Sequence, residues 1–162
     1  MTKSQMTKSQ MTKRLLVVHH TVSPATHALH LAVMGGARDP SLNDVEVVEK
    51  PALTATALDV LEADGLLLGS PVNLGYISGA LKHFFDQIYY PCLGATRGRP
   101  FGVYLHSNTD ATGALRAIAT ITTGLEWRQA QAPLVVSGEP GPQDTGAARE
   151  LGSSVAAGLL LD

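Results

Sequence analysis

Residues 65–87 read GLLLGSPVNLGYISGALKHFFDQ. Leu66, Leu67 and Leu68 form an apolar run too short for a helix, bounded by Gly65 and Gly69, and this predicts a buried strand. Ser70 and Pro71 are expected to end it, because proline brings no N–H to a ladder. Val72 to Ile77 is then a polar loop with one aromatic, Tyr76, and a flexible point at Gly75. Ser78 suits the N-cap of a following helix. Beyond it Leu81, Phe84, Phe85, Ile88 and Tyr89 recur at i, i+3, i+4, i+7 and i+8, one apolar stripe, with Lys82, His83, Asp86 and Gln87 on the other face. In an open α/β sheet, a loop leaving the carboxyl end of a strand is where ligands bind.

The same strand-then-helix phrasing extends in both directions. Upstream, Leu15-Leu16-Val17-Val18 reads as a strand buried on both faces. It runs through His19-His20-Thr21-Val22 into Ser23-Pro24, an N-cap followed by a residue suited to N1. Ala25, Ala28, Leu29, Ala32 and Val33 make the helical stripe, and Gly35-Gly36 is expected to stop it. Val45, Val47 and Val48 give a second strand that ends at Pro51, and Thr54 caps a short helix over 55–63 with Leu58 and Leu61 inward. Downstream, Phe101 to Leu105 is a fourth strand leading into the polar run His106 to Gly113. Asp110 or Thr109 caps a helix burying Ala114, Ile118, Ile121 and Leu125. Leu134-Val135-Val136 is a fifth strand, and Asp144 opens a last helix with Ala148, Leu151, Val155 and Leu159 on its stripe. Five strand–helix repeats predict a parallel sheet covered on both faces.

A helix that begins directly after a central strand offers free N–H groups and the positive end of its dipole, a site for a phosphate without Lys or Arg. Thr21, Ser23 and Thr26 add hydroxyls in that turn.

The pattern Pro71-x-x-x-Gly75-x-x-Ser78-Gly79-x-Leu81-Lys82-x-Phe84-x-Asp86 resembles the flavin-ring loop and following helix of the flavodoxin-like NAD(P)H-dependent FMN reductase and quinone reductase family. The loop after the first strand is similar to the FMN phosphate loop of flavodoxins, with Pro24-Ala25 standing where Thr-Gly would be. The resemblance implies a flavodoxin-like three-layer sandwich with a five-stranded parallel sheet in the order 2-1-3-4-5. It would span residues 13–162, behind a flexible extension over residues 1–12 in which MTKSQ occurs twice. It implies FMN as cofactor, with the phosphate on Thr21, Ser23, Ala25 and Thr26. The ring would lie on Ser70, Pro71, Val72, Asn73, Leu74, Gly75 and Tyr76, and its far end on His106, Ser107, Asn108 and Gly113. It also implies NAD(P)H as donor and a homodimer or higher homo-oligomer. Since the flavin carries the redox chemistry, no protein nucleophile or base is required.

Charge separates two readings within this fold. Flavodoxins proper are strongly acidic carriers, whereas this chain has a net charge of -2 and no Asp or Glu over residues 70–78. A ring in less negative surroundings accepts a hydride more readily. The expected function is two-electron transfer from NAD(P)H through FMN to a quinone, a free flavin or another small acceptor. The alternative is a non-enzymatic electron carrier or FMN-binding interaction module.

The bulk properties agree with one domain. At 162 residues, 44% hydrophobic and 16% charged, the chain can bury a core. Its charge gives no reason to expect nucleic acid or an anionic membrane as partner. No apolar run reaches the roughly 18 residues of a span. Cys92 is alone, so no intramolecular disulfide or four-thiolate metal site can form, and a reducing, cytoplasmic setting is expected. His19, His20, His27 and His30 cluster in sequence, but no Cys or carboxylate stands near them and His27 and His30 are expected on the polar side of their helix. No metal site is therefore expected. Trp127 is expected in the core or an interface. A phosphoacceptor regulator would need an Asp where Gly69-Ser70 stand, and neither Gly-x-Ser-x-Gly nor a P-loop occurs.

Overall fold

The structure is a computed structural model that describes residues 12–161. The expected N-terminal extension falls outside the described residues except for Thr12. In chain order the elements are β1 (Lys13–His19), α1 (Pro24–Ala37), a 3-10 turn (Pro40–Leu42), β2 (Val45–Pro51), α2 (Ala57–Leu61), β3 (Gly65–Asn73) and β4 (Tyr76–Ile77). There follow α3 (Gly79–Cys92), β5 (Pro100–Ser107), α4 (Thr112–Gly124), β6 (Arg128–Gln129), β7 (Leu134–Ser137) and α5 (Pro142–Leu159).

The sheet is parallel through β2, β1, β3 and β5, with registers such as Leu16↔Val48, Leu16↔Leu66 and Leu68↔Val103. Its last place is shared by two short strands. β6 pairs with the start of β5 (Pro100↔Arg128) and β7 with its end (Tyr104↔Leu134). The expected order 2-1-3-4-5 therefore holds, with the fifth strand broken around Pro133, a residue with no N–H to contribute. β4 is not one of the five: it folds back antiparallel on the end of β3.

Alternation along the strands builds two cores. Leu15, Val17, Leu67 and Tyr104 face α1 and α5, and bury with Leu29, Val33, Leu151 and Val155. Leu16, Val18, Leu66, Leu68 and Val103 face the other way, onto Leu81, Phe84, Phe85, Ile88 and Trp127. Trp127 is a core residue there, and its Nε1–H donates to the buried Thr96 hydroxyl at 2.8 Å.

Four sequence expectations change, the first at α4, whose N-cap is Ala111 with no side-chain cap bond and not Asp110 or Thr109. β3 does not stop at Pro71 but continues to Asn73. β1 pairs with β3 only as far as Gly69, so from there one side of β3 is open, and Pro71 can join the ladder opposite His106 without robbing a neighbour of a bond. Gly35-Gly36 does not stop α1, which runs on to Ala37. A Cβ at Gly36 would stand 1.9 Å from the Arg149 carbonyl oxygen, and one at Gly152 would stand 2.1 Å from that of Val33. These glycines let α1 and α5 touch backbone to backbone. α2 is shorter than expected and capped by Thr56 in a capping box with Asp59. Leu58 and Leu61 lie exposed, and Val60 is the residue it buries.

Candidate functional site

β1, β3, β5 and β7 all end at one edge of the sheet, and the loops that leave them surround a cavity of about 1220 Å³. The first loop supplies Val22, Ser23, Pro24 and Ala25, with Ala28 from the following turn. The second supplies Pro71 to Gly75, the third His106, Asn108 and Thr109, and the fourth Gly138, Glu139 and Pro140.

The first loop is set by a capping box. The Ser23 hydroxyl accepts from the Thr26 N–H at 3.1 Å, while the Thr26 hydroxyl accepts from the N–H groups of Ser23 (3.0 Å) and Val22 (3.1 Å). Thr26 is thereby buried as part of the cap and does not line the cavity. Thr21 is likewise engaged, its hydroxyl 2.8 Å from His19 Nδ1. Pro24 has no N–H, and the Ala25 N–H belongs to the first helical turn, where no carbonyl of the helix can receive it. Ser23 and Ala25 thus remain at the cavity with the positive end of the α1 dipole behind them.

The second loop is tighter than a flexible polar loop. Asn73 pairs with Tyr76, leaving Leu74 and Gly75 as a two-residue turn with φ of 53° and 75°. Positive φ at both positions defines a type I′ turn. Leu74 is fully exposed at its tip and lines the cavity, while Tyr76 does not line it. Ser70 is buried away from the cavity, where it bonds the Ser78 hydroxyl at 2.9 Å and anchors the hairpin to the cap of α3. Gly113 is also a packing residue. A Cβ there would come within 2.2 Å of the Gly75 carbonyl oxygen, so the third loop seats directly on the hairpin turn.

In that third loop Ser107 is buried and accepts from the Thr109 N–H at 3.0 Å, leaving Asn108 and Thr109 outward at the cavity. Asp110 lies beyond, its carboxylate taking the Thr112 N–H (3.1 Å) and hydroxyl (2.7 Å). Those bonds, the hydroxyl foremost, hold it below the usual carboxylate range. His106 lines the cavity, and its Nε2–H donates to the Gly138 carbonyl at 2.7 Å. It ties the third loop to the fourth.

Nine expected positions therefore meet at the cavity: Ser23, Ala25, Pro71, Val72, Asn73, Leu74, Gly75, His106 and Asn108. Thr21, Thr26, Ser70, Ser107, Tyr76 and Gly113 support or border it instead. The fourth loop was missed, as were Val22, Pro24, Ala28 and Thr109. Its signal was present, since Gly138-Glu139-Pro140-Gly141 is a turn directly after the last strand, on the same sheet edge. Among the described residues lining the cavity there is no Lys or Arg, and Glu139 is the one carboxylate. An anionic group here has to rely on N–H groups, hydroxyls and the helix dipole, while Pro71, Val72, Leu74, Val22 and Pro140 offer apolar surface to a flat ring. The residues present fit a phosphorylated, flat aromatic ligand, and fit FMN in particular.

His27 lies exposed on the polar side of α1 as expected, but His30 does not, and Glu49 supplies a carboxylate beside it. His30 is buried, with Nδ1 2.7 Å from the Tyr104 hydroxyl and Nε2 2.7 Å from a Glu49 oxygen. His19 stacks on it, ring centroids 4.0 Å apart, and burial followed by the charge of His30 lowers its pKa to about 4. Cys92 is fully buried, and burial pushes its thiol up.

The sequence profile of the NADPH-dependent FMN reductase family matches residues 8–138. A flavodoxin of Aquifex aeolicus is 40% identical over 86 residues, 53% of this chain and 45% of that protein. The chain thus spans about half the length of that relative. Among solved structures, an archaeal flavodoxin superposes with a TM-score of 0.75 at 18% identity, over 90% of this chain and 98% of that one. A WrbA-like flavodoxin from Agrobacterium tumefaciens gives 0.71 at 19%, over 91% and 98%. The flavodiiron protein of Giardia intestinalis gives 0.79 at 13%, over 98% of this chain and 39% of that one. At such identities these structures speak for the flavodoxin-like fold alone. No helix among the described residues is long and apolar enough to cross a membrane.

Proposed function

Since the chain belongs to the NADPH-dependent FMN reductase family, we propose that its four-loop cavity holds FMN and that the protein passes two electrons from NAD(P)H to a quinone, a free flavin or another small acceptor. When bound, the flavin supplies the hydride chemistry, so no side chain has to act as nucleophile or base. The chain's own work is binding, orientation and exclusion. The N-terminus of α1, with the Ser23 hydroxyl and the Ala25 N–H, holds the phosphate without a cation. Pro71, Val72 and Leu74 give flat apolar contact to the ring, and the amides of Asn73 and Asn108 meet its heteroatom edge. His106 keeps the fourth loop against the third through the Gly138 carbonyl.

The observation that carries this reading is the convergence of loops distant in sequence on one cavity. The near absence of charge there supports the reductase over the carrier, because a carrier's ring environment is rich in carboxylates. Residues 13–162 act as the single FMN-binding unit, in a homodimer or higher homo-oligomer and in a reducing, cytoplasmic setting that keeps Cys92 a thiol. The test is anaerobic mixing of FMN-loaded protein with NADPH and with NADH. Rapid bleaching of the flavin absorbance is the expected result. Protein that keeps its colour with both donors, yet is reduced by dithionite, is a carrier or a binding module.

A further inference from the structure

We propose that His19, His30 and Glu49 form a binding site for a divalent transition-metal ion of the zinc type, at the β1–β2 end of the sheet and outside the residues that line the flavin cavity. The three residues come from different elements: His19 ends β1, His30 lies in α1 and Glu49 lies in β2. One ligand atom from each lies within 4.8 Å of the others. Two imidazoles and a carboxylate are the donor set that zinc and its neighbours accept, with a fourth position left for water.

The surroundings have the form of an outer shell. His30 Nδ1 is held by the Tyr104 hydroxyl and His19 Nδ1 by that of Thr21, so the Nε2 atoms are the ones left for an ion. Glu49 divides its oxygens: Oε1 faces the Arg38 guanidinium at 3.6 Å, and Oε2 meets His30 Nε2 at 2.7 Å. That short contact is a hydrogen bond from His30 Nε2–H to the carboxylate, whose proton an ion entering between the two atoms displaces. The sequence conceals this grouping because Glu49 is remote from the histidines along the chain.

Closure requires one movement. The two rings are stacked, 23° from parallel, whereas ligands to one tetrahedral ion must splay apart. His30 is fixed by burial and two hydrogen bonds, so His19 is the ligand that turns. Without an ion the same atoms form a self-satisfied chain of three, Tyr104–His30–Glu49, with His19 stacked on His30.

The test uses untagged, chelator-treated full-length protein titrated with Co²⁺ and followed by visible d–d absorption, then by competition with Zn²⁺. The expected result is one ion per chain, displaced by Zn²⁺, with affinity reduced at least tenfold in Glu49→Gln and in His19→Asn. Tyr104→Phe, which touches no ion, is expected to weaken binding about 10–100-fold. Circular dichroism checks that each variant is folded, and His19→Asn, at a half-buried position, keeps the test open if Glu49→Gln does not fold. Absence of d–d bands overturns the proposal. Binding of equal strength in folded His19→Asn or Glu49→Gln also overturns it, and assigns the ion to surface histidines such as His27 and His83.

Discussion

Leu74 is one of two non-glycine residues with positive φ among the described residues. It holds a φ of 53°, a region where a non-glycine side chain costs about 1–2 kcal/mol, and it is wholly exposed while doing so. Asn-Gly is the preferred pair for this turn, so Leu74→Asn should stabilise the fold by about 1 kcal/mol, seen as a higher urea midpoint. The same change should weaken FMN binding by removing an apolar contact, which fluorescence titration will report. Asp110 gives a second residue-level prediction. Its folded pKa is depressed, so its contribution to stability is present above the unfolded value of about 3.9 and is lost as pH falls through the lower folded value. Asp110→Asn should lower the urea midpoint near neutral pH, and the difference from wild type should close as pH falls through the depressed folded pKa. Little of this was legible in the sequence. A hydrophobic residue in a left-handed turn contradicts local preference, and the burial of His30 depends on Tyr104 and Glu49, which are 74 and 19 positions away.

At the scale of elements, α1 and α5 touch backbone to backbone at Gly36 and Gly152. Gly36→Ala drives a methyl group into the Arg149 carbonyl, a backbone atom that cannot swing aside. Overpacking of this kind costs about 1–3 kcal/mol, and the expected outcome is a lower denaturant midpoint with an unchanged m-value. The five helices and the five main strands were readable from periodicity and turn residues, whereas the two-residue strands β4 and β6 were not. The last helix buries Ala148, Leu151, Val155 and Leu159 as its stripe requires. Boundaries were misread wherever tertiary contact outweighed local preference. A glycine pair that would end an isolated helix serves here as a helix–helix contact, and a proline that would end a central strand is tolerated where the neighbouring strand has already stopped.

For the whole molecule, strand order follows from five strand–helix repeats and right-handed crossovers, which leave few arrangements. That order brings the loops after β1, β3 and β5 together, and so the candidate site was largely visible before the structure. The fourth loop escaped because its place is given by topology and not by a motif: it brings Glu139 to the cavity, and His106 ties it to the third loop through the Gly138 carbonyl. In the proposed function the cavity binds FMN with its phosphate at the N-terminus of α1. The most direct measurement is fluorescence titration of FMN into wild-type protein and Ala25→Asp. A carboxylate in the first turn favours the helix through its dipole, so the fold should be kept, while it repels a phosphate at the same place. The account predicts one FMN per wild-type chain and at least tenfold weaker binding in Ala25→Asp, at equal or higher thermal stability. Wild-type protein that binds no FMN, or a folded Ala25→Asp variant that binds it as tightly as wild type, would contradict the account.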